Sequence, residues 1–362
     1  MIKEKVSANQ FFSLLYLSLL STVFMYLSSS HIKIAQTDTL LRPLIFVVVS
    51  LVVSVPTFLV LKKHKQLKAN RQFIPETKFL KCVACVYAGV YFISILKTVA
   101  RFDLFASSEL FPNSDMTVFL VLLIVACAVL SFFGLGALSR AAGIFAFVVC
   151  GSTVFVMLSL SNEVDLLNFT PVFKDGINGF LKDGLIFAVQ ATEIGTIIMF
   201  LPDIKGDTKK TYIRWIILSA LSFSVIFFFV IGSLGTFADT QLFPTYTAVS
   251  LASFGLIERI DALETAVWIL CIVEKIAFYF LICIKALRYA FKGVSKRITA
   301  ILTIFSVSAV ITLVSYNIEN FRFLSEDLLT VVLFLISAVI LPAVVYFYIR
   351  RVKPSDKIQE SI

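Results

Sequence analysis

Charge is what this 362-residue chain has least of. Asp, Glu, Lys and Arg make up 15% of it, against 59% hydrophobic residues and a mean hydropathy of +0.95. A water-soluble domain carries about 25% charged residues, so the shortfall excludes a soluble globular protein. Period-two alternation of apolar and polar residues is also missing, which excludes a transmembrane β-barrel. There are 2 histidines, His31 and His64, and they fall in connections on opposite sides of the expected membrane, too far apart to share a metal. The 6 cysteines, Cys82, Cys85, Cys127, Cys150, Cys271 and Cys283, all lie inside apolar runs. Cys82 and Cys85 form a C-x-x-C, but KCVACVYAGV has no second pair and no histidine near it, so the pair reads as a helix contact rather than a zinc or redox site. With no phosphate-binding Gly-rich loop, Ser–His–Asp arrangement or Cys/His cluster, neither an enzyme nor a cofactor is expected.

What the chain has instead is a series of apolar runs of about 20 residues, each able to cross a hydrocarbon core of roughly 30 Å. Ten spans are expected: Gln10–Ser29, Leu41–Leu61, Phe79–Ala100, Met116–Phe133, Gly143–Ser161, Gly184–Leu201, Tyr212–Leu234, Leu263–Cys283, Ile298–Tyr316 and Leu328–Ile349. Basic residues crowd into alternate connections, at Lys62–Lys78, Lys205–Arg214, Lys285–Arg297 and Arg350–Lys357. The positive-inside rule then places both termini in the cytoplasm. Basic loops against anionic headgroups account for the net charge of +9 without any nucleic acid. The opening MIKEKVSANQFFSLLYLSLLS is longer than a signal-peptide core and no A-x-A follows it, so it reads as the first span.

The fold class expected is an all-α polytopic membrane protein, with residues 1–362 forming one integral membrane domain. Five spans per half make the second half topologically inverted: repeat 1 covers about 10–161, repeat 2 about 184–349, and 350–362 is a short tail. In such inverted repeats the first helix of each half is broken near the midplane, which points to the first and sixth spans. Two outer connections are long, Asn162–Asp183 and Gly235–Asp261. Within the second, Thr245–Ile257 is apolar enough to lie in the interface as a short helix.

Polar residues inside these spans are the candidates for function. Glu193 sits mid-span in GLIFAVQATEIGTIIMFLPD, where insertion costs a carboxylate roughly 3 kcal/mol. Beside a helix break it is suited to receive a ligand's ammonium group, or to bind and release a proton as the site opens; the plainer alternative is a neutral Glu193 hydrogen-bonded to a neighbouring helix. Gln190 and Thr192 flank it, and Ser18, Ser21 and Thr22 supply the first-span half of the candidate site. Glu274 and Lys275 lie inside the eighth span. Neighbours on a helix point about 100° apart, so they do not neutralise each other on one face and at least one needs a partner on another helix. Lys275 is a candidate internal cation or a structural ion-pair partner, and Glu264 follows the same logic further out. Asp261 lies at the outer start of that span, where the helix dipole favours an acid.

The segment GLIERIDALETAVWILCIVEKIAF, Gly255–Phe278, resembles the signature of the spore germination permeases, the B subunits of germinant receptors and a branch of the amino acid–polyamine–organocation superfamily. Glu258, Arg259, Asp261, Trp268, Ile269 and Lys275 follow the family's order. PVFKDGINGFLKDG with Glu193 and Phe200–Pro202, the stretch Leu96–Asp115, and the KVSANQFF opening are similar to other parts of it. Where family members tend to carry glycine in the first span, this chain has Ser18, Ser21 and Thr22, and Ala191 stands two residues before the glutamate. Gly195 is the residue left to supply flexibility there. The resemblance implies a transporter-like subunit in the inner membrane of a spore. It would sense a small nutrient, usually an amino acid, between the first and sixth spans, with an A-type membrane subunit and a C-type lipoprotein as partners. It also implies that Glu258, Arg259 and Asp261 form an outer gate. Two other readings remain open: a proton- or sodium-coupled amino acid transporter, and a scaffold subunit without a ligand.

Overall fold

A computed structural model describes residues 5–26, 37–69, 77–112, 116–170, 176–253, 260–291, 295, 298, 301, 304, 307–308 and 327–351. Most of the ninth expected span, together with Glu258, Arg259 and His31, lies outside the described residues. Almost everything described is helical. Five helices are long and apolar enough to cross a membrane, or 7 if each of two bent pairs counts as one span. The chain is an all-α polytopic membrane protein.

The opening motif has a local explanation. Ser7 and Gln10 form a reciprocal capping box: the Gln10 amide donates to Ser7 Oγ at 3.2 Å and the Ser7 amide to Gln10 Oε1 at 3.1 Å. This starts α1, Ala8–Tyr26, which runs unbroken through Ser18, Ser21 and Thr22. The break expected in the first span is therefore absent from Ala8–Tyr26. Val6–Ser7 (β1) pairs in parallel with Ile204–Lys205 (β2), tying the start of α1 to the end of the sixth span.

The second span is the one that bends early in the chain. Helices α2, Arg42–Val53, and α3, Val55–Ala69, meet at Ser54, and the two arms diverge by 46°. Pro56 lacks the N–H that would continue the helical ladder, which is the usual cause of such a kink. The Ser54 hydroxyl turns back to the Ser50 carbonyl. Then come α4, Lys78–Phe105, whose N-cap Thr77 accepts from the Leu80 amide, α5, Thr117–Phe132, and α6, Gly134–Ser159. Helix α6 begins nine residues before the expected fifth span, because Gly134, at φ 83°, turns the chain at once.

The sixth span is broken, as expected, although it starts earlier than Gly184. Helix α7, Gly176–Ala188, stops short. Thr192–Gly195 forms a 3-10 turn and α8, Ile197–Phe200, resumes; the two arms diverge by 47°. Helix α9, Thr208–Leu234, follows, capped by Asp207. The apolar outer connection forms a short helix, α10, at Pro244–Ser250.

Helix α11, Asp261–Ala290, is the central post. Of its most apolar stretch 83% is buried, against 22% for α6, most of whose side chains are not buried among the described residues. Around it pack α1, α4, α5 and α6. Phe278 of α11 lies against Phe11 and Phe200, and Trp268 stacks on Phe24. The last span is α12, Asp327–Phe334, and α13, Leu341–Arg351, joined by a π-helical turn, Leu335–Ile340. Pro342 cannot donate to the turn before it, so the ladder widens there.

That π turn meets the broken sixth span at Gly195. A Cβ on Gly195 would collide with the Ser337 carbonyl. Its value is close backbone approach, not the flexibility expected from the sequence. Gly195→Ala should destabilise the purified protein by about 1–3 kcal/mol in thermal unfolding. Gly143→Ala, at a site with nothing within 4 Å, should leave the protein unchanged or up to about 1 kcal/mol more stable.

Candidate functional site

Ending a helix inside a membrane frees backbone groups that lipid cannot satisfy. Here tyrosines of neighbouring helices take them. Tyr91 Oη donates to the Thr192 carbonyl at 3.0 Å, Tyr212 Oη to that of Ile194 at 3.2 Å, and Tyr87 Oη to that of Gly195 at 3.5 Å. Ser337 Oγ adds a second donor to the Thr192 carbonyl at 3.4 Å. Tyr87, Tyr91 and Tyr212 are all buried. Sequence reasoning passed over them. For Tyr87 and Tyr91 the signal was there, since a tyrosine inside a span and away from the interfacial belt needs a partner for its hydroxyl; Tyr212, at the start of the expected seventh span, gave none.

Glu193 is completely buried at the centre of this break. Its Oε1 accepts from Ser18 Oγ at 2.9 Å and from Tyr279 Oη at 2.8 Å, and lies 2.9 Å from Lys275 Nζ. Lys275 also donates to the Ser18 carbonyl at 3.1 Å and to Thr22 Oγ1. One ion pair thus joins three elements: α1, the broken sixth span and α11. The partner that helix geometry demanded for Lys275 is Glu193. Glu274, 1% exposed, projects elsewhere on α11, and neither of its carboxylate oxygens has a hydrogen-bond partner among the described residues.

Most of the predicted residues gather here. Ser18 and Thr22 touch the ion pair, and Thr192 Oγ1 lies 3.0 Å from Tyr279 Oη. Gln190 Oε1 accepts from Arg101 at 3.5 Å. Ser21 does not join them, since its hydroxyl bonds back to the Ser18 carbonyl within α1 at 2.8 Å. Asp261 is the first residue of α11, in the turn where the dipole favours it; Glu264, three residues on, accepts from Thr153 of α6 at 3.2 Å.

Beside the ion pair is a cavity of ≈ 40 Å³, counted as the space open to the centre of a water-sized sphere. Thr22, Lys97, Arg101, Gln190, Lys275 and Tyr279 are among the residues lining it. On that measure one water takes about 10–15 Å³, so there is room for a few waters or one small polar group. Lys97 and Arg101, one turn apart on α4, carry no role in the sequence reading. They were hidden because a basic residue near the end of a span reads as snorkelling toward the headgroups.

Fold and site together define an all-α integral membrane protein organised around a discontinuous helix, with an internal ion pair and a small polar cavity beside it. A family model described as spore germination protein matches residues 5–321. The chain belongs to that family, the spore germination permeases, a family of transporter or receptor type; it is a germination-related membrane protein. It is also 22% identical over 293 residues to YfkT of Bacillus subtilis (strain 168), an alignment covering 80% of this chain and 81% of that one.

Removing one member of a buried ion pair strands the other, at a cost of about 3–5 kcal/mol. Lys275→Met should therefore lower thermal stability sharply. Adding Glu193→Gln to it should recover most of the loss. Unfolding measurements on the two single variants and the double variant, combined as a cycle, check the coupling.

Proposed function

We propose that this chain is the transporter-like B subunit of a spore germinant receptor and senses a small nutrient of the amino acid class in the spore inner membrane. It would act with an A-type membrane subunit and a C-type lipoprotein, with both termini cytoplasmic. The whole chain would form one membrane domain built from two inverted repeats, and it would carry out no chemical conversion. The observation that carries the reading is the Lys275–Glu193 pair at 2.9 Å, set in a helix break beside a polar cavity. A solute there competes for the hydroxyls of Thr22, Thr192 and Tyr279, which join α1 and the broken sixth span to α11. It shifts their packing by its differential affinity for the two arrangements, and the partner subunits read the change.

In this reading Gln190, Thr192, Ser18 and Thr22 contact or border the ligand. Ser21 supports α1, and the acids and arginine at positions 258, 259 and 261 close the outer side. Glu193 and Lys275 form the switch, and a ligand-bearing cavity sets the chain apart from a pure scaffold.

Spores whose receptor lacks this chain should lose their germination response to its nutrient, and wild-type complementation should restore it. Thr192→Val should raise the half-maximal nutrient concentration about tenfold, equivalent to ~1.4 kcal/mol for one lost hydrogen bond. Concentrative uptake by the chain alone in vesicles would favour a coupled transporter instead. An unchanged response in Thr192→Val and Gln190→Ala spores would favour a scaffold.

A further inference from the structure

We propose that Glu274 is a proton-binding site: its carboxyl group holds a proton in the packed arrangement of this structure and releases it when the helices around α11 part and admit water. The inference goes beyond the solute reading and does not depend on it. Glu274 is not among the residues that line the cavity or bond to Glu193.

Glu274 lies near the middle of α11, Asp261–Ala290, with roughly 20 Å of helix on either side. It is 1% exposed, and neither Oε1 nor Oε2 has a hydrogen-bond partner among the described residues. The cation next to it along the helix is already engaged. Lys275 has three N–H donors, and Glu193 Oε1, the Ser18 carbonyl and Thr22 Oγ1 occupy them. Glu193, the other charged group close enough to act on Glu274, would repel a second ionised carboxylate. The Cys271 thiol lies nearby, one turn earlier on α11. Of the helices packed on α11, α1 contributes Tyr16, α4 contributes Tyr87, Tyr91, Lys97 and Asp103, and α5 contributes Cys127 as buried titratable groups. Neither oxygen of Glu274 takes a hydrogen bond from any of them. A carboxylate so placed has neither water nor a donor to hold its charge, and it neutralises by keeping a proton.

Opening breaks the carboxyl O–H bond: the proton passes to water, and the carboxylate left behind is hydrated. Closing reverses the step. Because only the packed arrangement keeps the proton at neutral pH, acid favours packing and alkali favours opening. The equilibrium moves by up to about tenfold for each pH unit above the ordinary glutamate value of about 4.3.

The test compares the full chain in nanodiscs with Glu274→Gln and Glu274→Leu at neutral pH. Both variants should fold, because replacing a neutral acid strands no cation. Infrared difference spectra should show a carboxylic-acid C=O band in wild type that each variant lacks, with no carboxylate band lost. Unfolding by denaturant in weakly buffered solution, followed with a pH indicator, should release about one proton more per chain from wild type than from either variant. Two substitutions guard against one failing to fold; loss of the fold in both marks Glu274 as the ionised partner of a cation and overturns the proposal. Loss of carboxylate bands in place of the acid band overturns it as well. So does equal proton release from wild type and variants, whatever the infrared bands show.

Discussion

A carboxylate at the centre of a membrane protein stands only if a cation and hydrogen-bond donors meet it there, and the arrangement of this chain follows from meeting that demand at Glu193. Lys275 comes from α11, Ser18 from α1 and Tyr279 again from α11. Three elements distant in sequence must converge to within hydrogen-bond distance of one oxygen. The most deeply buried helix, α11, is the one that supplies the cation. Burial and charge are linked here: a lysine on an outward-facing helix would reach headgroups and water instead.

The helix break around Glu193 places a second demand on the same region, because the carbonyls of Thr192, Ile194 and Gly195 turn to side-chain hydroxyls of neighbouring elements. Hydroxyls from α4, α9 and the last span answer it, and they do so from fully packed positions. Each tyrosine fills volume and satisfies one acceptor, so the break is closed on these sides without water. Gly195 then allows the π turn of the last span to lie against the break, backbone to backbone. A discontinuous helix in lipid is tolerated in proportion to how completely its neighbours re-satisfy it. Here the satisfied side is sealed, and the cavity opens on the side of Lys97 and Arg101.

Lys275 lines the cavity beside its ion pair with Glu193, and Lys97, Arg101 and Gln190 line it too. A helix break beside a carboxylate suggests cation recognition when the carboxylate is considered alone. In this structure the charge is committed to Lys275, so the carboxylate does not stand alone.

Membrane class and helical architecture were legible in the sequence, because each depends on local quantities. The broken sixth span was expected from a repeat scheme that also expected a break in the first span, where Ala8–Tyr26 has none. Hydropathy over about 20 residues decides whether a segment crosses lipid, and the Ser7–Gln10 box decides where α1 starts. The need of Lys275 for a partner on another helix followed from the 100° between neighbouring residues. Its identity did not, because Glu193 lies far away along the chain and periodicity holds no information about which helices are adjacent. The unbroken course of α1 over Ala8–Tyr26, the role of Gly195 as a contact and the tyrosines that cap the break also waited on tertiary structure. So did the part played by Lys97 and Arg101, since a basic residue near the end of a span looks the same in sequence whether it reaches for headgroups or turns inward to a cavity. Local free energies select the elements of this protein; packing decides which polar groups meet one another, as Glu193 meets Lys275.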